Sequence, residues 1–363
     1  MALRVGAIVQ SPESGQRFKL VEVIGRGGYG VAFRATRVGP KGRRSGTDVC
    51  IKVTTDQQSW HREAYFGNLL EGKTGAIEIF ETFVVSPSTF VVASELAENG
   101  SLASFLESNP RPWSERRIVK EMVSIANALN ALHQGGAAHR DVTPFNILVT
   151  TNGSLKLADF GISTHWIRPR GAIADIMNRG WVDAQLKDGE RVHWDAGDDI
   201  WQLGQILGLL LRWCDGDALD LRPMRTGFVR QMQSSAELKV VLRRSIGHRS
   251  HRYRNGAEFV AALARPTPIR FGGVRTLNGR QIVFTGPLSI RRDIAARKAR
   301  RAGAEVANSV SALTDVVVVG RQSANFIADD RGLKLIEAGA LRDRGTPIKY
   351  INEEQFLRLV QRE

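Results

Sequence analysis

The chain has 363 residues, 42% of them hydrophobic, with a formal net charge of +14. That length exceeds one average domain and suits two, and the positive charge favours an anionic partner. Its two cysteines, Cys50 and Cys214, argue against a disulfide-stapled secreted scaffold and fit a reducing cytoplasm. No apolar run approaches the ~20 residues of a membrane span. Met1 to Gln10 has neither the apolar core nor the cleavage pattern of a signal peptide.

In chain order, Phe18 to Ile24 and Val31 to Ala35 are strand-like runs. Between them lies Gly25-Arg26-Gly27-Gly28-Tyr29-Gly30. A lone GxGxxG is weak, and a dinucleotide-binding version would open a helix. Here a second strand follows, so the glycines read as a hairpin lid whose backbone N–H groups approach phosphates. Val49 to Lys52 is a further strand carrying Lys52 as its cation. Arg43 and Arg44 read as a flexible basic loop before it. A helical run from Trp60 to Leu70 holds Glu63 eleven residues after Lys52, placed to pair with it.

The densest signal comes next. His139-Arg140-Asp141-Val142-Thr143-Pro144-Phe145-Asn146 is followed by Asp159-Phe160-Gly161, with Asp141 and Asp159 separated by 18 positions. That spacing fits a loop, a short β-hairpin and a second loop, which brings both carboxylates and Asn146 to one phosphate site. Phosphoryl transfer needs one carboxylate to orient a hydroxyl, and oxygen ligands to hold Mg²⁺. The run Ile206 to Leu211 is a buried helix segment. Pro266 and Pro268, after a helical run from Ala257 to Ala264, mark a short stiff linker.

Taken together, residues from about 15 to 264 resemble a eukaryotic-like protein kinase of the bacterial type. The resemblance implies an α+β bilobal fold, with an N-lobe over about 15–97 and a C-lobe over about 98–264. It implies ATP and Mg²⁺ as cofactors and a protein substrate. Lys52 would contact the α/β-phosphates, Glu63 hold Lys52, Asp141 act as catalytic base, and Asn146 and Asp159 hold Mg²⁺. Gly25, Gly27, Gly28 and Gly30 would cover the phosphates. Adenine would bond the backbone of Glu95 and Ala97, with Ser101 near the ribose and Ser94 guarding the back of the pocket. Asp199 would anchor the catalytic loop from a long central helix.

Several positions depart from the family pattern. Thr143 stands where a lysine usually contacts the γ-phosphate, and Ala32 replaces the valine over adenine. Asp183-Ala184-Gln185 replaces Ala-Pro-Glu, with Arg252 as the expected partner of Gln185. Asn178 replaces the threonine that meets the missing lysine. From Asp159 to Gln185 the only hydroxyl residues are Ser163 and Thr164. Activity without phosphorylation of this segment is therefore expected, with acidic residues such as Asp175 as substitutes.

The remainder, 269–363, alternates strand and helix: Gln281 to Thr285, Arg291 to Ala302, Glu305-Val306, Val316 to Val319, Gly332 to Gly339, Ile348 to Ile351, Glu353 to Val360. Val316 to Val319 is continuous and β-branched, as a central parallel strand requires. Over its whole length this part resembles a BRCT domain, most like that of bacterial DNA ligase, on Leu277 to Gly286, Ala302-Gly303-Ala304, Thr314 to Val318 and Lys334 to Ala338. The likeness implies a small α/β domain with a parallel sheet and a phosphate pocket made by Thr285, Gly286, Lys334 and Arg291 or Arg292. The segment carries 17 Lys and Arg against 10 Asp and Glu. Arg297, Lys298, Arg300 and Arg301 form a basic helix flank suited to a nucleic-acid backbone.

The expected organisation is a kinase domain over 1–264, a linker over 265–268 and a BRCT domain over 269–363. The expected function is a soluble cytoplasmic serine/threonine kinase brought to DNA, at a 5′-phosphate end or in a repair or phage-defence complex, with phosphopeptide binding and protein docking as the other readings of the BRCT-like segment. A pseudokinase scaffold and a phosphotransferase on a non-protein substrate are the rivals. Oligomeric state is not legible.

Overall fold

A computed structural model describes residues 3–28, 30–39, 43–109, 111–165, 181–187, 194–264, 271–320, 333–343 and 345–362. Tyr29, Asp175, Asn178 and the linker prolines therefore lie outside the described residues. The chain divides into two compact units, Met1–Pro223 with Arg254–Val260, and Met224–Tyr253 with Ala261–Glu363. This division does not fall at the expected linker. Met224–Tyr253, expected in the first domain, goes with the second unit.

In the first unit, β1 (Ile8–Gln10), β2 (Arg17–Gly27), β3 (Gly30–Val38), β4 (Arg44–Thr54), β5 (Ile79–Ser86) and β6 (Thr89–Glu95) form one antiparallel sheet. Their order is β1-β2-β3-β4-β6-β5. Side chains alternate with period two. Phe18, Leu20, Phe33, Ala35, Val49, Ile51, Val91 and Ala93 bury together on one side. Ala32 stands across from Lys52, Lys52 from Val92, and Cys50 from Ser94. Cross-strand partners share a face, so this second row lines the other side. Arg44 is not in a loop. It opens β4 and pairs with Asp48 at 3.1 Å, while Asp48 also accepts from the Thr36 hydroxyl at 2.8 Å. Those two bonds extend the strand backwards.

Helix α1 (Gln57–Leu69) starts where the Asp56 carboxylate accepts from the N–H groups of Gln58 and Ser59. Trp60 Nε1 donates to Val91 O at 2.9 Å and docks the helix on β6.

The rest of this unit is mainly helical: α2 (Leu102–Ser108), α3 (Glu115–Gln134), α4 (Ala184–Lys187) and α5 (Ala196–Cys214). Helix α3 buries Ile118, Met122, Ile125, Leu129 and Leu132 at helical spacing. Helix α5 is buried all round from Ala196 to Leu211, so it can support a neighbour from inside the core. Two small antiparallel pairs complete the unit: β7 (Ala137–Ala138) with β10 (Thr164–His165), and β8 (Ile147–Val149) with β9 (Leu155–Leu157). The β8–β9 hairpin separates Asp141 from Asp159, as the spacing predicts.

The second unit holds α6 (Ala236–Ile246) and most of the sheet-bearing C-terminal segment; α7 (Gly256–Ala264) straddles the division. That segment runs β11 (Gln281–Thr285), α8 (Arg292–Arg301), β12 (Glu305–Ala307), β13 (Val316–Val319), α9 (Leu333–Asp343), β14 (Lys349–Asn352) and α10 (Glu353–Arg362). The turn Arg249–His251 packs on α9, which ties the 224–253 stretch to this unit. The sheet is wholly parallel, in order β12-β11-β13-β14. Val316 and Val318 join Phe284, Ala295, Ala299 and Phe356 on one face; Val317 and Val319 join Ala338, Ile348 and Tyr350 on the other. Both faces are covered, which accounts for the unbroken valine run. Helix α9 continues to Asp343, four residues past the Gly339 limit read from the sequence. Among the described residues no helix is long and apolar enough to cross a membrane.

Candidate active site

The site is built on Asp199, fully buried near the start of α5. One carboxylate oxygen accepts from His139 N–H at 2.7 Å and His133 Nε2 at 3.1 Å; the other accepts from Arg140 N–H at 2.9 Å and Trp194 Nε1 at 2.9 Å. Gly256 N–H donates to His133 Nδ1 at 3.2 Å, so the His133 proton sits on Nε2, where Asp199 needs a donor. Burial alone would raise the Asp199 carboxyl, but these donors hold it below the usual carboxylate range. Three residues on, Gln202 accepts from Val142 N–H at 2.9 Å and donates to Arg140 O and Trp181 O. The sequence reading anticipated Asp199 and missed His133, Trp194 and Gln202. The available signal was a set of polar residues, Asp198, Asp199, Gln202 and Gln205, on a helix otherwise too apolar to face water.

This support holds a strained loop. Arg140 has φ 73° and Asp159 φ 64°, the only positive-φ non-glycine residues among those described. Each costs about 1–3 kcal/mol and persists only where surrounding bonds over-determine it. Asp141 is buried, its N–H bonded to His139 Nδ1 at 3.2 Å. Burial lowers the His139 imidazole below its ordinary value, so the ring stays neutral. Asn146 Nδ2 donates to Asp141 O at 3.0 Å and to Asp141 Oδ2 at 2.7 Å. With its nitrogen so engaged, the amide oxygen of Asn146 is an atom that could serve a metal ion.

Lys52 closes the other side. Its ammonium pairs with Glu63 and donates to Asp159 Oδ1 at 3.1 Å. Burial would lower the Lys52 ammonium, yet Asp159 and Glu63 outweigh it and hold it above its ordinary value. Burial, aided by the Asp159 charge, pushes the Glu63 carboxyl up to about 7 against the pull of Lys52. Burial also opposes Asp159 ionisation, but Lys52 keeps it below its ordinary range. One cation thus serves two carboxylates, a surplus of negative charge suited to a divalent cation. Asp159 and Asn146 supply hard oxygen ligands, so the residues present fit Mg²⁺ on nucleotide phosphates.

The glycine lid is the β2–β3 turn, with Gly25 across from Ala32 and Gly27 across from Gly30. Gly30 has φ +131°, and a Cβ there would lie 2.1 Å from Val53 O. A Cβ on Gly27 or Gly28 meets nothing within 4 Å, which leaves room beside the turn. At the end of β6, Ser94 is buried and Glu95 is fixed by its side chain, which accepts from Glu78 N–H at 2.8 Å and pairs with Lys156. Glu95 N–H is taken by Glu78 O, so an adenine would meet its carbonyl side and the nearby Ala97. Ser101 is the N-cap of α2, accepting from Ser104 N–H; its hydroxyl already has a structural task. Burial pushes the Cys50 thiol up to about 11, so it is a packing residue rather than a nucleophile.

In the second unit, Thr285 is buried at the end of β11 and Gly286 follows with φ +76°. Lys334 Nζ donates to Phe284 O at 3.2 Å, and Arg292 Nη2 to Gly286 O at 2.8 Å. Arg291, expected here, instead pairs with Asp293 at 3.1 Å on an exposed turn. It is N-cap to α8, so its side chain leaves the helix start sideways while Arg292 turns inward. Burial first and Arg292 second hold the Lys334 ammonium below its ordinary value.

Known proteins match part of the chain. A CDPK-related protein kinase of Daucus carota is 28% identical over 214 residues, covering 55% of this chain and 34% of that protein. Extracellular signal-regulated kinase 7 of Drosophila melanogaster is 27% identical over 225 residues, 58% of this chain and 24% of its own length. Serine/threonine-protein kinase 4 homolog B of Dictyostelium discoideum is 27% identical over 228 residues, 61% and 20%. This chain thus spans about a third or less of these relatives. Residues 18–214, more than half the chain, match the family model described as protein kinase domain, and the chain belongs to the protein kinase family.

Proposed function

We propose that this chain is a serine/threonine protein kinase using ATP and Mg²⁺. The observation that carries this is the Lys52–Glu63–Asp159 cluster, assembled across from Asp141 and Asn146. Mg²⁺, held by Asn146 and Asp159, would neutralise charge on the phosphates. Lys52, fixed by Glu63, positions the nucleotide, and Gly25, Gly27, Gly28 and Gly30 let backbone approach it. Asp141, oriented by Asn146, aligns a serine or threonine hydroxyl and takes its proton. The new O–P bond forms as the bond to the β-phosphate oxygen breaks and ADP leaves. Every charged participant is present, which disfavours a scaffold without activity.

The C-terminal sheet segment is the targeting module in this proposal, a BRCT-like domain that takes a phosphate, foremost a DNA 5′-phosphate end. Its support is the convergence of Lys334 and Arg292 on the β11 terminus, beside a basic α8. Incubation of the pure protein with labelled ATP and Mg²⁺, with and without broken DNA, tests the reading. Labelled serine or threonine, lost in Asp141→Asn, is the expected result. Nucleotide binding with no phosphoprotein product in either condition would reject it.

A further inference from the structure

The sheet face opposite the core of the first unit does not end at the row of Ala32, Lys52 and Val92. It continues to the far ends of β2, β3 and β4. Register puts Ile8, Lys19, Thr36 and Asp48 in one row across four strands, and Gln10, Arg17, Val38 and Arg44 in the next. Cross-strand partners share a face. Here lies a groove of about 440 Å³, lined by Val5, Lys19, Val21, Thr36, Val38 and Arg44, in the size range of ligand pockets.

Two irregularities of pairing shape it. Leu20 pairs with Ala35 and Glu22 with Arg34, which leaves Val21 as the extra residue of a β-bulge. Bulges re-aim side chains, and Val21 stands exposed in the groove wall. Further along, Thr36 pairs with Asp48 but Val38 with Arg44, so β4 carries extra residues there and Arg44 reaches the same wall.

The chemistry of this face is amphipathic. Val5, Ile8 and Val21 are aliphatic side chains left in water. Around them stand Arg17, Lys19 and Arg44, against the carboxylate of Asp48, which already serves Arg44 and the Thr36 hydroxyl. Glu22, the next acid along the face, is held by Arg34 at 3.1 Å. Lys19 is exposed and pairs with no acid among the described residues. Aliphatic walls with surplus positive charge complement an acidic segment with aliphatic anchors. A single-stranded nucleic acid calls for aromatic platforms, and the apolar side chains here are aliphatic. A membrane surface is met by projecting apolar groups beside roughly four to eight clustered cations, whereas Val5 and Val21 line a concavity.

We propose that this groove docks an acidic segment of a partner protein, its carboxylates on Lys19 and Arg44 and its aliphatic side chains against Val5 and Val21. The glycine turn joins β2 to β3 and Lys52 lies on β4, so the partner would be held by the sheet that bears the nucleotide side. Docking does not depend on the phosphoryl-transfer reading.

The test is fluorescence anisotropy with the full chain and three labelled peptides: alternating Glu and Leu, the same with Lys for Glu, and the same with Ser for Leu. Only the first is expected to bind, and more weakly at high salt. Lys19→Glu should weaken it at least about tenfold, as reversal of a complementary charge predicts, and Val21→Ser at least about threefold through lost aliphatic burial. Both side chains are exposed, and thermal unfolding checks that the fold is kept. Lys73→Glu, the same charge change on an exposed turn of the same unit, should leave binding unchanged. No binding of the first peptide, equal binding of all three, or equal losses in Lys19→Glu and Lys73→Glu overturns the proposal. Unchanged binding in Val21→Ser overturns it too, since only bulk charge would be at work. Displacement of the peptide by phosphatidylserine vesicles or single-stranded DNA, abolished in Lys19→Glu, would assign the groove to a membrane or a nucleic acid instead. Asp141→Asn should dock the peptide as the parent does. Docking absent while phosphorylation of protein persists removes this inference alone; docking intact in a chain that phosphorylates nothing removes the kinase reading alone.

Discussion

Asp199 in the first unit and Lys334 in the second are both charges drawn away from water, and their surroundings differ in kind. Asp199 is fully buried and accepts from four donors, two of them the backbone it holds in place. Lys334 is half-buried, donates among the described residues to the Phe284 carbonyl, and feels the Arg292 cation more than the opposing Glu337 charge. A charge whose bonds are all made is a strut. A cation whose neighbours leave it below its ordinary value is poised for an anion. The two sites should therefore respond oppositely to substitution: the strut loses stability, the poised cation loses ligand.

The largest effects belong to the strut and what it carries. Asp199→Asn replaces an acceptor oxygen by a donor among four donors, and should cost about 3 kcal/mol or more in urea unfolding. Lys334→Ala should change the same measurement by under about 1 kcal/mol. Asp141→Asn and Lys52→Met should keep the fold and lower the phosphorylation rate by at least about 10²-fold each. Equal stability losses for Asp199→Asn and Lys334→Ala would erase the distinction.

The strut was partly legible and the poised cation less so. Asp199 was legible because the run from Asp199 to Gly204 resembles the kinase pattern, which implied an anchor for the catalytic loop. His133 and Trp194 were not, since single residues of those types serve equally as packing, and their roles depend on donors 66 and 5 positions from Asp199. The β2–β3 hairpin at the glycines, the β8–β9 hairpin and the parallel C-terminal sheet followed from periodicity and spacing. The choice between Arg291 and Arg292 did not, because adjacent residues at a helix start diverge by about 100° and only the cap geometry decides which turns inward. The division of the chain also differed from the proline signal, since a turn at Arg249–His251 packs on a helix distant in sequence.

A smaller effect separates the two kinds of site by pH. In the folded chain Glu63 titrates at about 7, raised from 4.5 chiefly by burial. Between those values the folded state holds a proton that the unfolded chain has released. The Glu63 contribution to stability is therefore full below 4.5 and lost as pH rises through 7. Unfolding at pH 5 and pH 8 should show a decline of about 1–3 kcal/mol from this group, absent in Glu63→Gln. An unchanged slope in that variant would assign the titration elsewhere. Excess Mg²⁺ and ATP should draw the Asp159 charge away and lower the Glu63 value, which carboxyl-carbon NMR of the folded protein would read directly.

At the back of the proposed adenine pocket the comparison concerns space rather than charge. Ser94 and Cys50 face one another across β4 and β6, two small side chains where Ala32 is also small. An ATP analogue with a bulky N6 substituent should be accepted without engineering. Ser94→Met should then raise discrimination against it by at least about tenfold, the scale on which apolar pockets distinguish size. Equal use of the analogue before and after substitution would show that the space is closed by something else.

The smallest effect tests the poised cation itself. If Lys334 and Arg292 receive a DNA 5′-phosphate, Lys334→Ala should weaken binding to phosphorylated ends by about tenfold and leave intact duplex nearly unchanged, since one local charge-assisted bond is lost. Arg297 and Arg300 lie on α8 among its basic residues. Their joint change to Ala should weaken both substrates alike and reduce the salt slope by about one per contact removed, because such residues only neutralise backbone charge. Affinities on matched 5′-phosphate and 5′-hydroxyl DNA at two salt concentrations separate the two behaviours. A Lys334→Ala protein that still prefers the phosphate would mean that the half-buried ammonium holds Phe284 in place and is not waiting for a ligand. The contrast with Asp199 would then reduce to two struts of unequal strength.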